Sequence, residues 1–148
     1  MEFPYSQIIE ALEQCGATSE ELSASEHGNC FQQWLDAYGD FYNPERRRLK
    51  GVRAIAEAET VSDGNFLLVP CRDPSFEGWS PVGTAFRCQS RRLPDLTESS
   101  HYIDAFISPV DFAWTLLYGH ETDVFGGPEF SYLDWRVPIS MERIRKRE

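Results

Sequence analysis

Residues 112–118, with the sequence FAWTLLY, form the stretch with the strongest β-strand character in this chain. Aromatic and apolar side chains of this kind fit the pleated surface of a sheet, and Gly119 then interrupts the run. Two further runs are short, mainly apolar and bounded by turn-forming residues: residues 65–70 and residues 130–137. The three segments predict three strands of one sheet.

The segments around these runs predict further strands joined by short connections. Residues 83–90 alternate well enough for another strand, and residues 103–107 are apolar and read as extended. Asp63-Gly64 is a common hairpin turn, which favours a strand for residues 52–61, although the alanines there would suit a helix equally well. Residues 108–111 are expected to form a single helical turn. The result is a mostly antiparallel sheet of five or six strands.

The N-terminal part of the chain shows helical spacing instead. Apolar residues within 8–15 recur every three or four positions, which predicts a first helix. Residues 18–21 have the form of a capping box and would open a second helix that ends near Gly28. Residues 29–39 begin with Asn, carry an apolar face and end with Gly, which predicts a third helix. The predicted fold is therefore α+β, with the N-terminal helices packed on one face of the sheet.

The length of 148 residues and the lack of an internal linker predict one domain. We expect residues 1–140 to form it, with an acidic helical part at 1–45 and a mainly β part at 46–140, followed by a frayed basic tail at 141–148. No stretch is apolar for long enough to span a membrane. The first fifteen residues carry acids and no Lys or Arg, unlike a secretory signal, so we expect a cytoplasmic protein.

Charge is distributed very unevenly along the chain. The formal net charge is −10, and residues 1–45 contain nine acids without a single Lys or Arg. A surface of one sign can steer and dock a basic partner, and aromatic residues in the same region could anchor it. The alternative is a solvated surface that serves solubility alone. The predicted partner-binding residues are Glu20, Glu21, Glu26, Trp34, Asp36, Tyr38 and Asp40.

A second function class, a small enzyme such as a hydrolase, rests on the residues that follow the 112–118 strand. His120 lies beside Glu121 and close to Asp123, and a His next to carboxylates at a strand end can act as a general base. The alternative is a His that hydrogen-bonds within a turn. No second His stands at the spacing of a metal site, and no phosphate-binding motif occurs, so neither a metal nor a cofactor is predicted.

The four cysteines are widely separated and form no paired motif, which predicts free thiols. Cys15 and Cys30 are expected to be mostly buried on the apolar faces of their helices. Basic residues after position 45 could contact nucleic acid, but the acidic N-terminal third would repel a polyanion. Nucleic acid is therefore disfavoured as a partner.

Residues 108–130, SPVDFAWTLLYGHETDVFGGPEF, resemble the C-terminal strand pair of small uncharacterised bacterial α+β domains of the immunity-protein type. In those domains an aromatic-Trp-Thr strand ends in a His-Glu pair, and a Gly-Pro-aromatic turn follows. This chain has extra residues between Glu121 and Pro128, and the resemblance carries no catalytic residue. It implies a binding protein, so the leading hypothesis is a non-enzymatic immunity protein, inhibitor or adaptor whose acidic helical face docks a positively charged protein. The oligomeric state is left open.

Overall fold

Three helices and an antiparallel sheet make up the part of the chain described by the computed structural model, which covers residues 5–39, 47–72, 80–81, 83–96, 104–119 and 131–135. This architecture confirms the predicted α+β class. The helices are α1 (Tyr5–Gln14), α2 (Ala24–Tyr38) and α3 (Gly51–Val61). The strands are β1 (Thr18–Glu21), β2 (Arg47–Lys50), β3 (Asn65–Arg72), β4 (Ser80–Pro81), β5 (Phe86–Gln89), β6 (Ala105–Ser108), β7 (Trp114–Tyr118) and β8 (Ser131–Trp135).

The strands follow the order β1-β5-β3-β6-β7-β8-β2, and the two-residue β4 pairs with the end of β3. Every described pair is antiparallel. The strands predicted within residues 65–70, 112–118 and 130–137 are confirmed as β3, β7 and β8. The sheet has more strands than the five or six expected, because β1 and β2 form its two ends.

Helices cover both faces of the sheet. Alternate residues of β3 face opposite layers: Leu67 and Val69 pack with α2, whereas Phe66 and Leu68 pack with α1 and α3. The central strands β6 and β7 are buried along their whole length, so both of their faces need an apolar cover. The expectation that the N-terminal helices share one face is corrected. They lie on opposite faces because β1, at the edge of the sheet, carries the chain between them.

The segment from Thr18 to Tyr38 contains one strand and one helix rather than two helices. β1 pairs along its full length with β5, and α2 begins only after Ser23. The Ser23 hydroxyl accepts from the Glu26 N–H, and the Glu26 carboxylate accepts from the Ser23 N–H, both at 3.1 Å. The capping box therefore lies five residues beyond the predicted one, and α2 continues through Gly28.

The Ser23→Ala variant is expected to lose about 1 kcal/mol of unfolding free energy, because the first turn of α2 would lose the hydroxyl that accepts from the Glu26 N–H. Urea denaturation followed by circular dichroism measures the change. Ser25→Ala, an exposed position in the same turn, is the matched control and should change stability much less. Equal losses in the two variants would show that the cap contributes nothing of its own.

Residues 52–61, where the Asp63-Gly64 turn favours a strand, belong to helix α3 instead. Ala54 and Ala58, four residues apart, are fully buried, whereas Val52 is 82% exposed. The alternation of a strand would place Val52, Ala54 and Ala58 on one face, but the helix buries Ala54 and Ala58 and leaves Val52 exposed. Their small side chains let α3 approach the sheet, where it packs in the same cluster as Leu133 of β8.

All four cysteines are free thiols, but their burial differs from the expectation. Cys71 and Cys88 are buried in strands, whereas Cys15 and Cys30 are only partly buried. The prediction that the two helical cysteines are mostly buried is corrected. Cys15 lies just after the last turn of α1, and Cys30 lies beside the apolar stripe of α2 rather than on it.

Candidate partner-binding surface

α2 leaves one corner of the sheet face that it packs against uncovered. α2 packs over the middle of this face, whereas the residues at the β1–β5–β3 end of the same face are exposed. The strand register aligns Glu20 with Arg87 and Leu67 in one row across the strands. The open corner forms a hollow of about 590 Å³. It is lined by Thr18, Ser19, Glu20, Asp63, Asn65, Phe66, Arg87, Gln89 and Val110.

Arg87 connects three elements at the border of this hollow. Its Nη1 lies 2.8 Å from Glu20 Oε1 on β1, and its Nη2 lies 3.6 Å from Glu26 Oε2 on α2. Hydrogen bonds from the backbone and side chain of Ser23 lower the pKa of Glu26, and the charge of Arg87 lowers the pKa further. Two carboxylates thus face one guanidinium, which leaves a net negative charge.

A second hollow lies beside the first. It has a volume of about 370 Å³ and is lined by Gln33, Asp36, Ala37, Val110, Asp111 and Phe112. Val110 lines both hollows and is 66% exposed, so it forms an apolar ridge between them. We call the residues that line the two hollows, together with Glu26, the acidic face. Among the described residues that line the hollows, Glu20, Asp36, Asp63 and Asp111 are acids and Arg87 is the one base.

The turn that presents Val110 is held in a strained conformation. Phe112 has a φ of 55°, which is rare for a residue with a side chain and costs about 1–3 kcal/mol. Its N–H donates to the Pro109 carbonyl at 3.0 Å, and its carbonyl accepts from the Tyr38 hydroxyl at 2.7 Å. The Phe112 ring is buried beneath α2. These contacts of Phe112 hold the ridge in place. Residues 108–111 form the end of β6 and this turn instead of the expected helical turn.

The structure places the acidic residues of the sequence prediction on two sides of the sheet. Glu20, Glu26 and Asp36 are exposed and belong to the acidic face. Glu21 is also exposed, but it alternates with Glu20 along β1 and so points to the opposite face. Asp40 lies outside the described residues, as do His120, Glu121 and Asp123 of the enzymatic alternative.

Trp34 and Tyr38 are core residues, which corrects the expectation that they anchor a partner. Trp34 is fully buried, and its ring stacks on Phe106 at a centroid distance of 4.7 Å and an angle of 6°. Its indole N–H donates to Thr115 Oγ1 at 3.0 Å. The apolar stripe of α2 faces the sheet, so its largest rings are the residues that the sheet covers.

The acidic face also contains residues that the sequence did not point to, among them Asp63, Arg87, Val110 and Asp111. Asp63 and the pair Val110–Asp111 were recognised only as parts of turns. The two turns become neighbours because β3 pairs with β6 and places Leu67 opposite Ser108. No local pattern specifies that pairing, so the ridge and its flanking acids could not be found from the sequence.

Comparison with protein-family models, curated protein sequences and solved structures found no match to this chain. The resemblance of residues 108–130 to immunity-type domains therefore stays a prediction. In the described ranges, no group of three or more His, Cys, Asp or Glu side chains could hold a metal ion. None of the helices described here is long and apolar enough to cross a bilayer. The acidic face is therefore the candidate functional site of the described chain.

Proposed function

We propose that this protein binds a positively charged partner protein through its acidic face and acts as an immunity protein, inhibitor or adaptor. The observation that carries the proposal is the Val110 ridge between two hollows, where the described lining residues include four acids and a single base. The base is already paired, because Arg87 contacts Glu20 at 2.8 Å. A partner that covered this surface would be blocked by occlusion, without chemistry on the part of this protein.

Three acids of the face are preoriented by local hydrogen bonds. Asp36 Oδ1 accepts from the Gln32 side chain at 3.0 Å. Asp63 Oδ1 accepts from the Asn65 N–H at 2.9 Å, and Asp111 Oδ1 accepts from the Ala113 N–H at 3.1 Å. Carboxylates that are already oriented lose less conformational entropy when a partner binds. This arrangement favours a surface that recognises Lys and Arg side chains over one that serves solubility alone.

Val110 supplies the apolar contact that the acids lack. Interfaces combine an apolar centre, which is fully desolvated, with a polar rim. An exposed Val on a hydrogen-bonded turn, flanked by carboxylates, has this pattern on a small scale. The net charge of −10 adds long-range attraction, which raises association rates with basic proteins. Attraction would thus set the rate of encounter, and the ridge would slow dissociation.

Reversing two charges of the second hollow tests the proposal. With a partner isolated by affinity capture on the wild-type protein, Asp36→Lys/Asp111→Lys should slow association by about tenfold or more. Stopped-flow measurements at 0.1 M and 1 M salt should also show a steep decrease in the wild-type rate, because the Debye length shortens from about 10 Å to about 3 Å.

The matched control is Glu10→Lys/Glu13→Lys, which changes the net charge equally on α1, across the sheet from α2. It should slow association much less than Asp36→Lys/Asp111→Lys does. If the two variants slow association alike, only the net charge matters and the acidic face is not the docking surface. A wild-type rate that does not respond to salt would contradict the electrostatic mechanism altogether.

A further inference from the structure

β1 forms an exposed edge of the sheet. All four of its side chains are exposed, and in the described part of the chain it pairs with β5 alone. The Leu22 N–H donates to the Ala85 carbonyl at 2.8 Å, which shows that even-numbered positions here point their backbone groups towards β5. The backbone N–H and C=O groups of Ser19 and Glu21 therefore point away from the sheet. No partner for these groups occurs among the described residues.

We propose that β1 receives an extended, Lys- or Arg-bearing segment of the partner as an additional strand. This inference rests on the proposed function and adds how the basic partner is recognised. The main chain of the segment would hydrogen-bond to Ser19 and Glu21, in the manner of strand addition to an open edge. β1 spans four residues, or about 13 Å, so a segment of four to six residues suffices.

The side chains of β1 decide which segment fits. Glu20 points to the acidic face and Glu21 to the opposite face, so an added strand meets a carboxylate on either side. Cross-strand neighbours lie about 4.5–5.5 Å apart, where opposite charges attract and like charges repel. A second β1 would bring its own glutamates close to these, so like-charge repulsion disfavours it. Charge complementarity thus selects a basic segment.

Charged residues on a short edge strand also serve to prevent edge-to-edge aggregation. Glutamates on β1 would block acidic strands and other copies of β1 in this way. They do not repel a basic strand. The two roles differ in one measurable respect, because only the proposed role requires a basic peptide to form main-chain hydrogen bonds with β1.

A synthetic peptide of four Lys-Val repeats, acetylated and amidated, is the probe. In ¹⁵N-labelled protein it should shift the amide signals of Ser19 and Glu21, and the corresponding Glu-Val peptide should not. Ser19→Pro removes the outward N–H without removing a charge, and Pro is tolerated at such an edge position. It should weaken peptide binding about tenfold, whereas Ser19→Ala, which keeps the N–H, should stay within about twofold of wild type.

A second measurement keeps the test decisive if Ser19→Pro fails to fold. A Lys-Val peptide N-methylated along one edge keeps every charge but loses the donors on that edge, and N-methylation of the pairing edge should abolish the shifts at Ser19 and Glu21. Equal binding of both edge-methylated peptides and the parent peptide would overturn the inference. Shifts confined to Asp36 and Asp111 would overturn it while supporting the proposed function. A lack of response on both surfaces would contradict both proposals.

Discussion

The Trp34→Ala variant is expected to lose about 3–5 kcal/mol of unfolding free energy, a large part of the stability of a domain of this size. The ring lies at the centre of the contact between α2 and the sheet, stacked on Phe106 and hydrogen-bonded to Thr115. Removing it leaves a cavity, and the surrounding side chains can relax only in part. Urea denaturation, followed by circular dichroism, measures the loss.

Trp34→Phe is the matched control. It keeps an aromatic ring against Phe106 and removes the indole N–H, but the Thr115 hydroxyl still accepts from Ser108 Oγ at 2.8 Å. The expected cost is about 1–2 kcal/mol. If Trp34→Ala instead kept nearly full stability and lost partner binding alone, the ring would be an exposed anchor, contrary to its position in the structure.

The free energy of unfolding is expected to fall steeply as the pH rises above about 9, because the buried Cys88 thiol and Tyr118 phenol must stay protonated. Burial, reinforced by the nearby Cys15, raises the pKa of Cys88 from 9.0 to about 12. Burial also raises the pKa of Tyr118 well above 10.0, with a further contribution from Asp95. Since both groups bind their protons more tightly in the folded state, unfolding releases protons once the pH exceeds their ordinary pKa values.

The Cys88 contribution is fully present below about pH 9 and is lost between about pH 9 and pH 12. A pKa difference of about three corresponds to about 4 kcal/mol. Urea denaturation at a series of pH values from 7 to 11 measures the decrease. Cys88→Ala should be less stable at pH 7 yet lose less stability with rising pH. A wild-type stability that stays constant up to pH 11 would contradict the assignment.

The sequence predicted those parts of the fold that depend on local pattern. The strands around Leu68, Leu116 and Leu133 are short, mainly apolar runs between breakers, and such runs are a local signal for strands. β1 has no such pattern, since Thr18–Glu21 is polar throughout and becomes a strand only because β5 offers it a free edge. Tertiary pairing overrode the local capping signal there.

The same distinction applies to the candidate site. The one-signed charge of the N-terminal third was visible in the sequence, and Glu20, Glu26 and Asp36 do belong to the acidic face. The exposed Val110 was not visible, because its position depends on the pairing of strands that are distant in sequence. The aromatic residues Trp34 and Tyr38 are not partner contacts, because they lie on the apolar stripe of α2 that packs against the sheet.

The pairing pattern of the sheet has a consequence for folding kinetics. Glu20 meets Arg87 across 67 residues, and Trp34 meets Thr115 across 81, so long loops must close before these contacts form. Proteins dominated by such non-local pairings fold in milliseconds to seconds. β6 and β7 are joined directly by the turn at residues 109–113, which makes this hairpin the natural starting point. The unusual φ of Phe112 would then slow folding at its first step, before the Tyr38 hydroxyl is in place to hold the turn.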